Sequence, residues 1–138
     1  VYGPRQDPSS DYAAVVPRFL SAAKAGSPLT IYGDGEQTRD FIFVGDVVRA
    51  NILAALDEGH NGEAFNIACQ EMVSVNQLAS LVLKEMGLGE RGMIEHRAER
   101  RGDVRHSLAD IGKARRDLGF VPAYDIRKGL SLTMASMG

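Results

Sequence analysis

Apolar residues recur along this chain with two different periods. Ala14, Val15, Phe19 and Ala22–Ala23 fall at helical spacing. Asp11 is placed to open that helix, and Pro17 inside the pattern predicts a kink or a later start near Val16. Gly26 ends it and Pro28 forbids continuation. Two short runs of bulky and β-branched residues follow, LTIY at 29–32 and FIFV at 41–44, on either side of a Gly33-Asp34-Gly35 turn. They read as two extended segments joined by a tight loop. Gly45-Asp46 then opens a second helix with Asp46 as its N-cap. Its apolar residues Val47, Val48, Ala50, Ile52, Leu53 and Leu56 cover more than one face, which predicts deep burial.

Residues 63–68, centred on AFNIA, form a short β-leaning run that reads as a buried strand of a parallel sheet. Ser74 and Gln77 have the spacing of a capping box, heading an amphipathic helix through Leu78 and Val82 to Met86, where Gly87 stops it. Residues 93–96 predict a short extended segment, and 97–105 a charged, irregular one. Asp110 opens a short helix that ends at Leu118-Gly119. Asp125 opens the last, with Ile126, Leu130 and Met134 four apart. The pattern is mixed α/β and helix-rich, one domain over residues 1–138 with no internal repeat.

Composition narrows what such a chain can do. With 138 residues, 44% of them hydrophobic, there is material for a core. A net charge of −2 supplies no field favouring nucleic acid or an anionic membrane. The single cysteine, Cys69, excludes an internal disulfide framework and reads as a small buried residue rather than a nucleophile. No apolar run approaches the roughly 20 residues of a membrane span. Val1 stands where a start methionine would, and VYGP reads like the end of a strand, so a fragment of a longer protein is expected.

The candidate chemistry lies in arginines and carboxylates. Arg39 stands just before the apolar FIFV run, so its stem can be pinned while its planar fork meets an anion. Read locally, the same stretch is also compatible with an ordinary surface hairpin carrying a solvated Arg39–Asp40 pair. The charged run around Arg97, Arg100 and Arg101 is equally compatible with a solvated face.

Three ordered blocks, VYGPRQDPSSDYAAVVPRF, GDGEQTRDFIFVGDVVRANILAAL and RRGDVRHSLADIGKARRDLGF, resemble the C-terminal portion of the nucleotide-sugar epimerases and dehydratases. These are extended short-chain dehydrogenases that use NAD and act on UDP- or dTDP-hexoses; the UDP-glucose and UDP-N-acetylglucosamine 4-epimerases are the most similar group. The resemblance implies the substrate-binding C-terminal lobe of a Rossmann-type fold, with NAD bound mainly by an N-terminal half lying outside this chain. It implies a cytoplasmic, homodimeric parent enzyme whose partner is a UDP-sugar.

By the same resemblance Arg39 and Arg100 contact the diphosphate, and Asp103 accepts hydrogen bonds from the ribose hydroxyls. Main-chain groups around Leu29, Ile31 and Tyr32 read the base edge, with the Tyr32 ring close by. Gln6 and Ser107 fall near the hexose. Arg101 stands where many relatives carry proline, so Arg97, Arg100 and Arg101 compete for the second diphosphate contact. The Gly-rich turn and the catalytic Tyr–Lys pair of the family have no counterpart in place: Tyr124 and Lys128 have the spacing but lie at the wrong end. The 138 residues alone are therefore expected to be inactive, and no catalytic or metal-binding residue is assigned. A dehydratase of the same family, or a non-catalytic nucleotide-sugar-binding module, remains an alternative.

Overall fold

Nine elements run through the computed structural model, which describes residues 1–9, 14–89 and 93–137. They are α1 (Val15–Lys24), β1 (Leu29–Tyr32), β2 (Thr38–Arg39), α2 (Val44–Leu56), β3 (Val73–Ser74), α3 (Val75–Glu85), β4 (Ile94–Arg97), α4 (Gly112–Asp117) and α5 (Ile126–Ala135). The mixed, helix-rich α/β pattern expected from the sequence is what forms. β1 pairs in parallel with β4, Leu29 opposite Ile94 and Tyr32 opposite Arg97. β2 pairs antiparallel with β3. Against β1 lie α1 and α3, and their buried residues, with Tyr2, Phe19, Leu29, Ile31, Leu78 and Leu130, make the larger core.

Residues 29–44 do not form a hairpin. Two main-chain bonds capture the loop between the runs: Val75 N donates to Gln37 O (3.1 Å) and Asn76 N to Gly35 O (3.0 Å). They turn the chain toward the start of α3 instead of back along β1. Gly35 has φ +76°, and a Cβ there would sit 2.0 Å from Asn76 Oδ1, so the approach needs glycine. The second run never becomes a strand: Phe43 bridges Tyr2, and Val44 already begins α2.

Helix starts differ from expectation in the same region. Position Ala14 caps α1 and Pro17 falls in its first turn, where a missing N–H removes no helical bond; this is the later start. Asp11 lies outside the described residues. In α2 the N-cap is Phe43, not Asp46. The Asp46 side chain is fully buried and accepts from Ala123 N (3.0 Å) and Tyr124 N (3.1 Å), with the Arg49 guanidinium 3.6 Å away. This carboxylate supplies an acceptor to two part-buried backbone N–H groups in the segment before α5.

Nor is α2 deeply buried. Ala50, with the half-buried Val47 and Leu53, faces a second core built on Ile42, Ala68, Ile111, Ala114 and Phe120. Val48, Ile52 and Leu56, spaced by four, are exposed. Residues 63–68 carry no strand, since no described residue pairs with them in a ladder; Phe65 and Ile67 pack their side chains on the second core instead. The C-terminal half follows expectation closely. Ser74 and Gln77 form the capping box of α3, Gly87 (φ +69°) ends it, and Asp125 caps α5 by accepting from Lys128 N. Among the described residues no helix is long and apolar enough to cross a membrane.

Replacing Asp46 tests how much the buried carboxylate contributes. Asp46→Ala removes the acceptor of two part-buried N–H groups and is expected to lower unfolding free energy by about 2 kcal/mol in urea titration. Asp46→Asn, which keeps one acceptor, is expected to lose about half as much.

Candidate functional site

The alternation of a parallel strand sets up the site. Leu29 N donates to Met93 O and Gly33 N to Arg97 O, so the odd-numbered main-chain groups of β1 face β4. Those of Thr30 and Tyr32 face away from β4, and the Tyr32 carbonyl accepts from Gln37 Nε2 at 2.7 Å. Leu29 and Ile31 point their side chains into the core.

On the open side of β1 lies a cavity of about 380 Å³ whose walls include Thr30, Ile31, Tyr32, Gln37, Arg39, Arg100 and Asp103. Five of the expected site residues, Ile31, Tyr32, Arg39, Arg100 and Asp103, thus line the cavity. Arg39 and Asp103, 64 positions apart, form an ion pair between Arg39 Nη2 and Asp103 Oδ1, and Arg39 Nη1 donates to Thr38 O (2.8 Å). Each partner is 28% exposed, so the pair stands at the edge of the solvent. The Arg100 guanidinium stacks on the Tyr32 ring, 3.8 Å from its centroid. Hydrogen bonding and charge from Arg100 hold the Tyr32 phenol below its ordinary range. Of the three competing arginines, only Arg100 lines this cavity; Arg97 pairs with Glu95.

Three expected residues lie elsewhere: Leu29 is fully buried and gives its N–H to Met93 O in β4. Gln6 lines a separate small cavity with Arg5, Pro8, Thr133 and Met137. Ser107 is exposed and uses its N–H on Thr38 O (3.2 Å), while His106 Nδ1 lies 3.0 Å from Thr38 Oγ1. Both brace the edge of β2 rather than face the cavity. The sequence reading missed Gln37. Only 7% exposed, it joins Tyr32 O to Asp103 Oδ2 (3.4 Å) through a single Nε2. The signal was available: a long polar side chain between the GDG turn and the arginine, in a loop too tight to leave it in water.

A second clamp holds the rim. Arg105 donates both guanidinium nitrogens to Asp34, at 2.7 and 2.8 Å. These bonds, with one from Glu36 N, hold the Asp34 carboxyl down at about 2. Cys69 is half-buried, with its Sγ 3.2 Å from Phe41 O, and burial pushes its thiol up to about 11, which suits a packed residue rather than a nucleophile. Tyr124 packs its ring on Phe43, and Lys128 Nζ lies over the Tyr124 ring at 4.6 Å; neither lines the cavity.

The described residues do not fit a dinucleotide. Gly87, Gly89 and Gly92 do spell the spacing G-x-G-x-x-G. Gly87 closes helix α3 with its N–H on Lys84 O, however, where a pyrophosphate turn must follow a strand and open a helix. Residues 90–92 lie outside the described residues.

Known proteins resemble this chain over its whole length. Residues 1–68 match the NAD dependent epimerase/dehydratase family. A putative UDP-glucose 4-epimerase of Methanocaldococcus jannaschii is 38% identical over 130 residues, 94% of this chain and 40% of that protein. A dTDP-glucose 4,6-dehydratase of Streptomyces griseus is 35% identical, spanning 97% of this chain and 39% of that protein. The crystal structure of UDP-glucose 4-epimerase from Thermotoga maritima with UDP-glucose superposes with a TM-score of 0.89 at 40% identity, over 99% of this chain and 42% of that one. The chain therefore spans about two-fifths of the length of the relatives it matches.

The Asp34–Arg105 clamp has a defined pH signature. Its carboxyl titrates lower folded than unfolded, so the clamp's contribution is complete above about 4 and is lost as pH falls through about 2. NMR titration is expected to place the Asp34 midpoint near 2, moving up toward the ordinary value of 3.8 in Arg105→Met.

Proposed function

We propose that this chain, which belongs to the NAD dependent epimerase/dehydratase family and carries part of its α/β, Rossmann-type extended short-chain dehydrogenase fold, is the sugar-nucleotide-binding part of a UDP-hexose 4-epimerase. The observation that carries the reading is the convergence of Arg39, Arg100 and Asp103 on one cavity although some sixty residues separate the first from the others. A diphosphate is best met by two guanidinium forks, since each fork can bind two oxygens. An ionised carboxylate accepts only, which suits it to the two hydroxyls of a ribose.

In this reading Arg39 and Arg100 hold the diphosphate, and Asp103 orients the ribose. The base lies along the open side of β1, where the main-chain groups of Thr30 and Tyr32 face it. The chain's task is binding and orientation. On this reading hydride exchange at the sugar is the work of the full-length enzyme, and the 138 residues alone are inactive. The structure with UDP-glucose, 40% identical, supports a UDP-sugar. The Streptomyces griseus relative, at 35%, supports a second reading as a dTDP-sugar 4,6-dehydratase. Both use the same nucleotide cavity and differ in the reaction carried out on the sugar.

Binding and turnover by the full-length protein test the reading. Each charge-assisted contact is worth roughly 1.5–3 kcal/mol, so Arg39→Ala or Arg100→Ala should weaken UDP binding by about one to two decades in calorimetry. Arg39→Ala should be the worse of the two, because it also leaves Asp103 unpaired beside the ligand's own charge. Arg39→Lys should still lose affinity, and Asp103→Asn should lose less than either arginine change. UDP binding unchanged by both arginine substitutions would remove the site. Turnover of UDP-glucose to its 4-epimer, against 4,6-dehydration of dTDP-glucose, separates the two readings.

A further inference from the structure

We infer that the outer face of α2 is a docking surface, covered in the full-length protein by the part of the same chain that lies outside these 138 residues. The inference stands on that exposed face and on the family membership, not on the nucleotide reading. Val48, Ile52 and Leu56 follow one another at spacing four and are 52%, 53% and 78% exposed. Asn51 and Ala55, also exposed, lie on the same side of the helix. None of these five carries a charge. The two charged side chains of α2 are engaged elsewhere: Asp46 is fully buried, and Arg49 lies over the Phe120 ring and donates to Val121 O. A helix face meant for water carries charged or polar side chains, whereas a helix that is apolar on both sides belongs in an interior. The inner side of α2 already packs on the second core through Val47, Ala50 and Leu53. Its outer side calls for a second layer, which no described residue supplies.

Size and position decide what that layer is. Three apolar side chains fall well short of the roughly 800 Å² that each partner of a stable complex buries. A face of this extent does not hold a free protein or a second copy by itself. It suffices within one chain, where docking costs far less translational and rotational freedom. The relatives supply the length. This chain covers 40% of the Methanocaldococcus jannaschii protein and 42% of the Thermotoga maritima one, which leaves more than half of each without a counterpart here. Position agrees as well. Tyr2 N donates to Ile42 O (3.0 Å) and Val44 N to Tyr2 O (2.8 Å), so residues at Tyr2 run alongside the start of α2. Any residues joined ahead of Val1 would emerge beside this helix. Because β2 leads into α2 through Asp40–Phe43, docking of α2 also fixes where Arg39 stands relative to the rest of the protein.

The test uses the full-length protein without ligand. In its crystal structure Val48, Ile52 and Leu56 are expected against apolar side chains of the same chain that lie outside these 138 residues. A face left in solvent, or covered only by another copy, overturns the inference. In solution, Ile52→Cys is compared with Glu58→Cys, an exposed position just beyond the helix. With a water-soluble maleimide, position 52 is expected to react at least about 100-fold more slowly, and urea should bring the two to one rate. Labelling is read peptide by peptide, which separates position 52 from Cys69. Equal rates in the folded protein overturn the inference. So does protection of position 52 that vanishes on dilution to monomer, which would assign the face to a second copy. Ile52→Glu is expected to lower the thermal midpoint by more than about 5 °C, and Glu58→Gln by about 1 °C or less. Equally small shifts in both would overturn the inference. None of these readouts involves UDP, so a protein that failed to bind UDP would overturn the proposed function and leave this inference in place.

Discussion

Eight consecutive residues, 39 to 46, are tied by charged side chains to three distant parts of the chain. Arg39 pairs with Asp103. Asp40 accepts from Cys69 N (2.8 Å) and Gln70 N (2.9 Å). Asp46, fully buried, accepts from the backbone at 123 and 124. Between these ties Ile42 and Phe43 point into different cores. The buried Asp46 carboxylate cannot be exchanged for packing alone, because its removal takes the acceptor from two backbone donors as well as leaving a hole. The two cores therefore meet along a polar seam, and the cavity's arginine sits at one end of it.

The charged groups of the cavity are already paired with one another. Arg39's fork is occupied by Thr38 O and Asp103, and Arg100 rests on the Tyr32 ring. On the proposed function, an incoming diphosphate competes with a carboxylate for one guanidinium and with an aromatic face for the other. Binding then exchanges partners rather than filling bare charge, which lowers the gain per contact but spares the free protein an unpaired cation cluster. Such a site selects for ligands that repair what they displace. A ribose that offers hydroxyl donors to Asp103 as the phosphates take Arg39 does so.

How far the chain was legible depended on the range of the interactions involved. The cap of α3 at Ser74–Gln77, the stop at Gly87 and the cap of α5 at Asp125 are set within four residues, and all are found as read. The partner of β1 is 65 residues away in β4, with nothing local to announce it, so the GDG turn suggested a hairpin that does not form. Asp46 looked like a cap because capping and burial of a carboxylate use the same acceptor chemistry; only tertiary structure shows which N–H groups it serves. Arg39, Arg100 and Asp103, singled out from their motif blocks, line one cavity. Gln6 and Ser107, placed by register along a loop, do not line that cavity, since a loop need not keep register with it.

The exposed stripe of Val48, Ile52 and Leu56 on α2 bears on how this unit responds to temperature. Apolar surface that stays wet in the folded chain adds nothing to the heat capacity released on unfolding, which averages about 12–15 cal/mol/K per residue when such surface is buried. A unit with an uncovered helix face therefore has a flatter stability curve than its length suggests. Its folded population varies gently from cold to warm, and covering that face would both raise the curve and sharpen it.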